Sequence, residues 1–156
     1  MTDPAPQPGD RIPSMDPPAE VVARLDALSA ASRDAPQDQA AMAALWRAVL
    51  GLERWILIAR GTLEQPRPFA ATFPQGPMLL IFSTAERARI GGMAAGLTHE
   101  ESSRLLATPL PGAIEWAASF QGVGVMGVAL DHGTTGAFTP LQNLLPMRDW
   151  FAANPA

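Results

Sequence analysis

The residues Pro77 to Arg89, PMLLIFSTAERAR, constrain the fold more than any other stretch of the chain. Met78 to Phe82 is an uninterrupted apolar run of strand length, and a run without alternation suits a strand covered on both faces. Ser83 or Thr84 then offers an N-cap oxygen, and Glu86 follows Ser83 in capping-box spacing. The pattern predicts a helix that starts at Thr84 and reaches about Ala95, weakened at Gly91 and Gly92 by roughly 1 kcal/mol each relative to Ala. A strand running straight into a helix is the building unit of an α/β domain.

The flanking sequence extends that unit in both directions. Asp16 is placed to cap a first helix, with Pro17 and Pro18 in its early turn, a stripe of Val21, Leu25 and Leu28, and an end near Ser32. A second helix follows Asp34, with Gln37 in capping-box register, and stops at Gly51. Its stripe of Met42, Leu45 and Val49 is widened by Trp46 and Leu50. Trp46 is read as core, with an interaction hot spot as the alternative. Arg54 to Arg60 reads as a strand, 61 to 68 as a loop, and Phe69 to Phe73 as a strand joined to the 77–83 segment by a hairpin at Pro74, Gln75 and Gly76.

Beyond the central helix, Thr98 to Glu101 forms another capping box and predicts a short helix over 98–104. Leu105 to Leu110 reads as a strand, Pro111 opens a helix over 112–121, and Val123 to Leu130 is a strand that turns at Asp131, His132 and Gly133. Ala137 to Thr139 returns as an edge strand. Leu141 to Phe151 is a helix interrupted at Pro146. The expected fold is α/β (α+β): one domain over 17–152 with a mixed sheet of about five to six strands flanked by helices. It follows a tail, residues 1–16, that is rich in proline and too poor in bulky apolar side chains to offset the cost of ordering.

Composition narrows the chemistry. The 156 residues are 47% hydrophobic and include no cysteine, so a core can form without disulfides, and thiol chemistry is excluded. The N-terminus lacks the basic and apolar regions of a secretory signal, and no apolar run approaches the roughly 18 residues of a membrane span. The expectation is a cytoplasmic protein with no membrane partner. The net charge is −4, and all 11 basic residues are arginines scattered along the chain, which leaves no basic stripe for a nucleic acid partner.

Few residues offer chemistry. Gly122, Gly124 and Gly127 have the G-x-G-x-x-G spacing, but a helix leads into glycines read as lying within a strand, the reverse of the order a dinucleotide site requires. His99 with Glu100 and Glu101 is explained by helix-start polarity, and neither histidine has a second ligand at i+4, so no metal and no cofactor are expected. The one candidate ligand site is Ser83, Thr84, Asp131 and His132. If their two strands are parallel neighbours, these groups converge at a sheet edge where α/β folds bind ligands, beside helix N–H groups open to an anion. The alternative is that Ser83 and Thr84 cap a helix while Asp131 and His132 make a turn. No residue is assigned a catalytic role.

The segments AALWRAVLGL, WILIAR, IFSTAER and GVGVMGVAL together resemble the SseB-like family of small bacterial proteins, over about residues 40–145. Two details depart from the family pattern. Phe-Ser-Thr stands here where Phe-Thr-Ser is usual, and Asp131-His132 stands where Asn-Pro follows the last long strand. The resemblance implies an α/β domain without an established catalytic activity, linked by name to serine sensitivity and to type III secretion components. The leading expectation is a non-enzymatic module that binds another protein or itself. The alternatives are a small-ligand or anion-binding protein, or an enzyme, using the strand-end groups, and a secretion accessory.

Overall fold

The structure is a computed structural model and describes residues 15–155. Helices α1 (Ala19–Asp34) and α2 (Gln39–Leu50) lie side by side, with Leu25 of the first against Leu45, Trp46 and Val49 of the second in one buried cluster. Trp46 is therefore core. Asp16 does not cap α1: Pro18 holds the N-cap position without a side-chain bond, while the Asp16 carboxylate accepts from the amide of Ala85, 2.8 Å away. The cap of α2 is Asp38, whose Oδ1 accepts from the amides of Ala40 and Ala41 at 3.0 and 3.3 Å, so the capping-box register at Gln37 is not used. Gly51 ends α2 as expected.

Among the described residues seven strands follow: β1 (Arg54–Gly61), β2 (Pro66–Pro68), β3 (Ala70–Phe73), β4 (Gly76–Ile81), β5 (Leu105–Pro109), β6 (Gly127–Leu130) and β7 (Ala137–Pro140). They form two sheets where one was expected, an antiparallel sheet of order β2-β1-β5 and a mixed sheet of order β3-β4-β6-β7. The division has a local cause. One edge of β1 is shared by several segments: Ile56 exchanges hydrogen bonds with Phe82, the Ile58 carbonyl accepts from the amide of Phe69, and residues 59–61 pair with β2. Pairing toward β4 thus ends after one residue pair.

In the mixed sheet β4 and β6 run parallel, with Ile81 opposite Leu130, and β3 and β7 flank them antiparallel. Residues 79 to 82 are all buried, and their side chains alternate between two cores. Leu79 and Ile81 join Leu25, Trp46, Trp55 and Ile114, while Leu80 and Phe82 join Ile56, Ile58 and Ala88. Burial on both faces explains why the segment shows no polar alternation.

Helix α3 (Ala85–Ala94) is continuous through Gly91 and Gly92. Both positions are close approaches: a Cβ on Gly91 would stand 2.5 Å from the His132 carbonyl oxygen, and one on Gly92 would stand 2.5 Å from Ser102 Oγ. The capping box of Thr98 and Glu101 starts the short α4 (His99–Ser102). Helix α5 (Gly112–Ala118) passes into a 3-10 turn over Ser119–Val123, which Gly124 ends in the left-handed region at φ 93°. Strand β6 therefore begins at Gly127 and not at Val123, and only one of the three spaced glycines lies in a strand. Helix α6 (Leu144–Ala153) runs unbroken because Pro146 falls in its first turn, where an amide has no helical acceptor to lose. Of the expected tail, residues 1–14 lie outside the described residues, whereas Met15 packs against the core cluster that contains Ile56 and Phe82. No helix among the described residues is long and apolar enough to cross a membrane.

Candidate functional site at the ends of β4 and β6

Because β4 and β6 are parallel and in register, the chain leaves both at the same edge of the sheet, and Ser83 meets Asp131 there. The amide of Ser83 donates to Asp131 Oδ1 at 2.8 Å, and its hydroxyl donates to Asp131 Oδ2 at 2.7 Å. Asp131 is 1% exposed, has φ 51°, and its own amide donates to the Ile81 carbonyl at 2.9 Å. Aspartate is among the few residues that enter this left-handed conformation at modest cost, and the turn uses it: the amides of Thr134, Thr135 and Gly136 all converge on the Asp131 carbonyl.

Two residues that no sequence spacing singled out complete the cluster. Arg87 Nη1 donates to Asp131 Oδ2 at 3.0 Å, and the same guanidinium makes two 2.7 Å bonds to the carboxylate of Asp26 on α1. The Arg87 hydrogen bond holds the Asp26 carboxyl below its usual range, and its two carboxylate partners push the Arg87 guanidinium further up. Asp26 and Arg87 are 61 positions apart, so only the folded chain reveals their pairing.

The other expected members have separate duties. Thr84 is the N-cap of α3, its Oγ1 accepting from the amide of Arg87 at 3.1 Å. His132 stands edge-on to Phe73 with ring centroids 5.1 Å apart, and its imidazole has no hydrogen bond to the described residues. At the start of α3 the amide of Ala85 is engaged by Asp16 and that of Arg87 by Thr84, and the Ser83 amide just before the helix is engaged by Asp131. The structure thus brings Ser83 and Asp131 into contact and saturates them with internal partners. A buried hydroxyl donating to a carboxylate, with no imidazole hydrogen-bonded to either group, is a clasp between a strand end, a turn and two helices. Among the described residues no group of three His, Asp or Glu side chains could hold a metal ion.

Two of the hollows among the described residues set apolar walls beside charged side chains. A groove of about 580 Å³ between α2 and α6 is lined by Met42, Ala43, Pro146, Met147, Trp150 and Phe151. Trp150 is 54% exposed, and the guanidinium of Arg47 lies over the Trp150 and Phe151 rings, 5.9 and 4.6 Å from their centroids. A cleft of about 680 Å³ at the β1–β2 hairpin is lined by Arg60, Arg67, Arg104 and Glu101, with Leu63 fully exposed at the hairpin tip. No family model, curated protein or solved structure matches the chain.

Proposed function

We propose that this domain is a non-enzymatic, cytoplasmic protein-interaction module whose α2–α6 groove takes an amphipathic helix of a partner protein, with an acidic residue at one end of the helix. The observation that carries the reading is the exposed Trp150 set among Met42, Pro146 and Met147. Unbranched, polarisable methionines around a tryptophan make a surface that adapts to an apolar helix face. Charge selects the partner: Arg47 donates to the Asn154 carbonyl and stacks on the rings, and no carboxylate among the described residues neutralises it. A partner helix with Glu or Asp near that end supplies the missing charge. The SseB-like resemblance, a family without an established catalytic activity, points the same way.

The reading is tested by selection from a displayed library of amphipathic helices. Sequences with an apolar i, i+4, i+7 face and a terminal acidic residue should be enriched, and Trp150→Ala or Met42→Glu should abolish their binding. Failure to enrich any helix, or enrichment that survives both substitutions, contradicts it.

A further inference from the structure

The β1–β2 hairpin carries a feature that the fold itself does not require. Arg60 and Arg67 are direct cross-strand partners, and directly opposed residues of an antiparallel pair project from the same face. Two guanidiniums in that position repel one another and reduce the stability of the hairpin. Arg104 lines the same cleft. Three arginines therefore line one cleft in a chain whose overall charge is −4.

The neutralising groups do not match them. Arg60 Nη1 donates to Glu101 Oε2 at 2.7 Å, and this bond, with the Thr98 capping bonds, lowers the Glu101 carboxyl to about 2. Arg104 reaches Glu100 at 3.4 Å, with both side chains largely exposed. Arg67 has no hydrogen-bond or ion-pair partner among the described residues. Its Nε lies 3.4 Å from where a Cβ on Gly61 would stand, so the side chain lies along the hairpin beside Gly61.

We infer that this cleft binds the phosphate groups of a small ligand, with Arg67 as the residue that holds the anion and Arg60 and Arg104 flanking it. A planar guanidinium matches two phosphate oxygens at once, and three of them around one cleft suit a group carrying more than one negative charge. The ligand takes the place of the missing third carboxylate and relieves the repulsion across β1 and β2. Its non-phosphate part lies on Leu63, Pro66, Leu105 and Leu106, which form the apolar part of the wall. This site is separate from the α2–α6 groove, and its success or failure leaves that reading untouched.

The test is calorimetric titration of the full chain with inorganic pyrophosphate at low ionic strength, against Arg67→Gln and, as a control for bulk charge, Arg33→Gln on α1. Pyrophosphate binds the parent chain, Arg67→Gln weakens binding by about tenfold or more, and Arg33→Gln leaves it within about twofold. Absence of saturable binding overturns the inference, and so does equal weakening by the two variants, which would show only a diffuse charge effect. Binding of a hexa-aspartate peptide in the cleft without binding of pyrophosphate also overturns it, in favour of an acidic peptide dock. The variants keep the fold, since Arg67 and Arg33 are exposed.

Discussion

Two arginine clusters in this molecule use the same chemistry to opposite ends. At the ends of β4 and β6, one guanidinium serves two carboxylates, and the buried acceptor Asp131 also takes the amide and hydroxyl of Ser83. At the β1–β2 hairpin, three guanidiniums have two carboxylates between them, all of it near solvent. The first cluster is closed and fixes elements distant in sequence. The second is left short of negative charge. Proximity of polar groups at a sheet edge therefore does not by itself mark a site; what distinguishes the two clusters is whether internal partners exhaust the donors and acceptors.

The contrast breaks most sharply at Asp131. Asp131→Ala strands the Ser83 hydroxyl and amide, frees Arg87 from its buried partner and puts alanine at φ 51°, so a loss of about 3–5 kcal/mol is expected in urea unfolding. A loss under about 1 kcal/mol would show that the cluster is not structural. Next in size is Gly91→Ala, which drives a methyl group into the Phe82 ring and the His132 carbonyl. It should cost roughly 1–3 kcal/mol by thermal unfolding, although alanine is the better helix former. An unchanged melting temperature would mean that α3 can slide away from the turn.

A smaller effect is expected at Asp26, whose carboxylate is partly exposed and whose ion pair is screened accordingly. Its folded-state carboxyl is depressed, so its contribution is present above the unfolded value near 4 and is lost as pH falls through the folded one. Asp26→Asn should therefore cost about 1 kcal/mol at neutral pH and flatten the loss of stability on acidification below about pH 4. An identical acid limb in parent and variant would contradict the pairing. The smallest change in stability belongs to Arg67→Gln, within about 0.5 kcal/mol of the parent and toward greater stability, because it removes the like-charge pair across β1 and β2.

What was legible in the sequence follows the range of the interactions. The strand and helix around 77–94 could be read because a doubly buried run and a hydroxyl cap are local signals, whereas the parallel pairing that brings Ser83 to Asp131 entered only as a condition, because strand order is set by contacts between distant segments. The ligand reading of those residues leaned on an assumption of free hydrogen-bonding groups. Asp16 and Arg87, arriving from other elements, supply partners that spacing cannot show. The separation into two sheets depends on Phe69, Phe82 and β2 dividing one edge of β1. Pro146 was misread as an interruption because its effect depends on where the helix begins, at Leu144. The hairpin cleft was invisible for the same reason, since Arg60, Arg67 and Arg104 look scattered until β1, β2 and β5 are laid side by side.

The most direct measurement of this contrast is pyrophosphate affinity, by calorimetry, for Asp131→Asn and Arg67→Gln in parallel under conditions where both are folded. A spent clasp and an open cleft predict that Asp131→Asn binds as the parent does while Arg67→Gln loses about tenfold or more. Loss of affinity in Asp131→Asn with full retention in Arg67→Gln would contradict the account and return the anion site to the ends of β4 and β6.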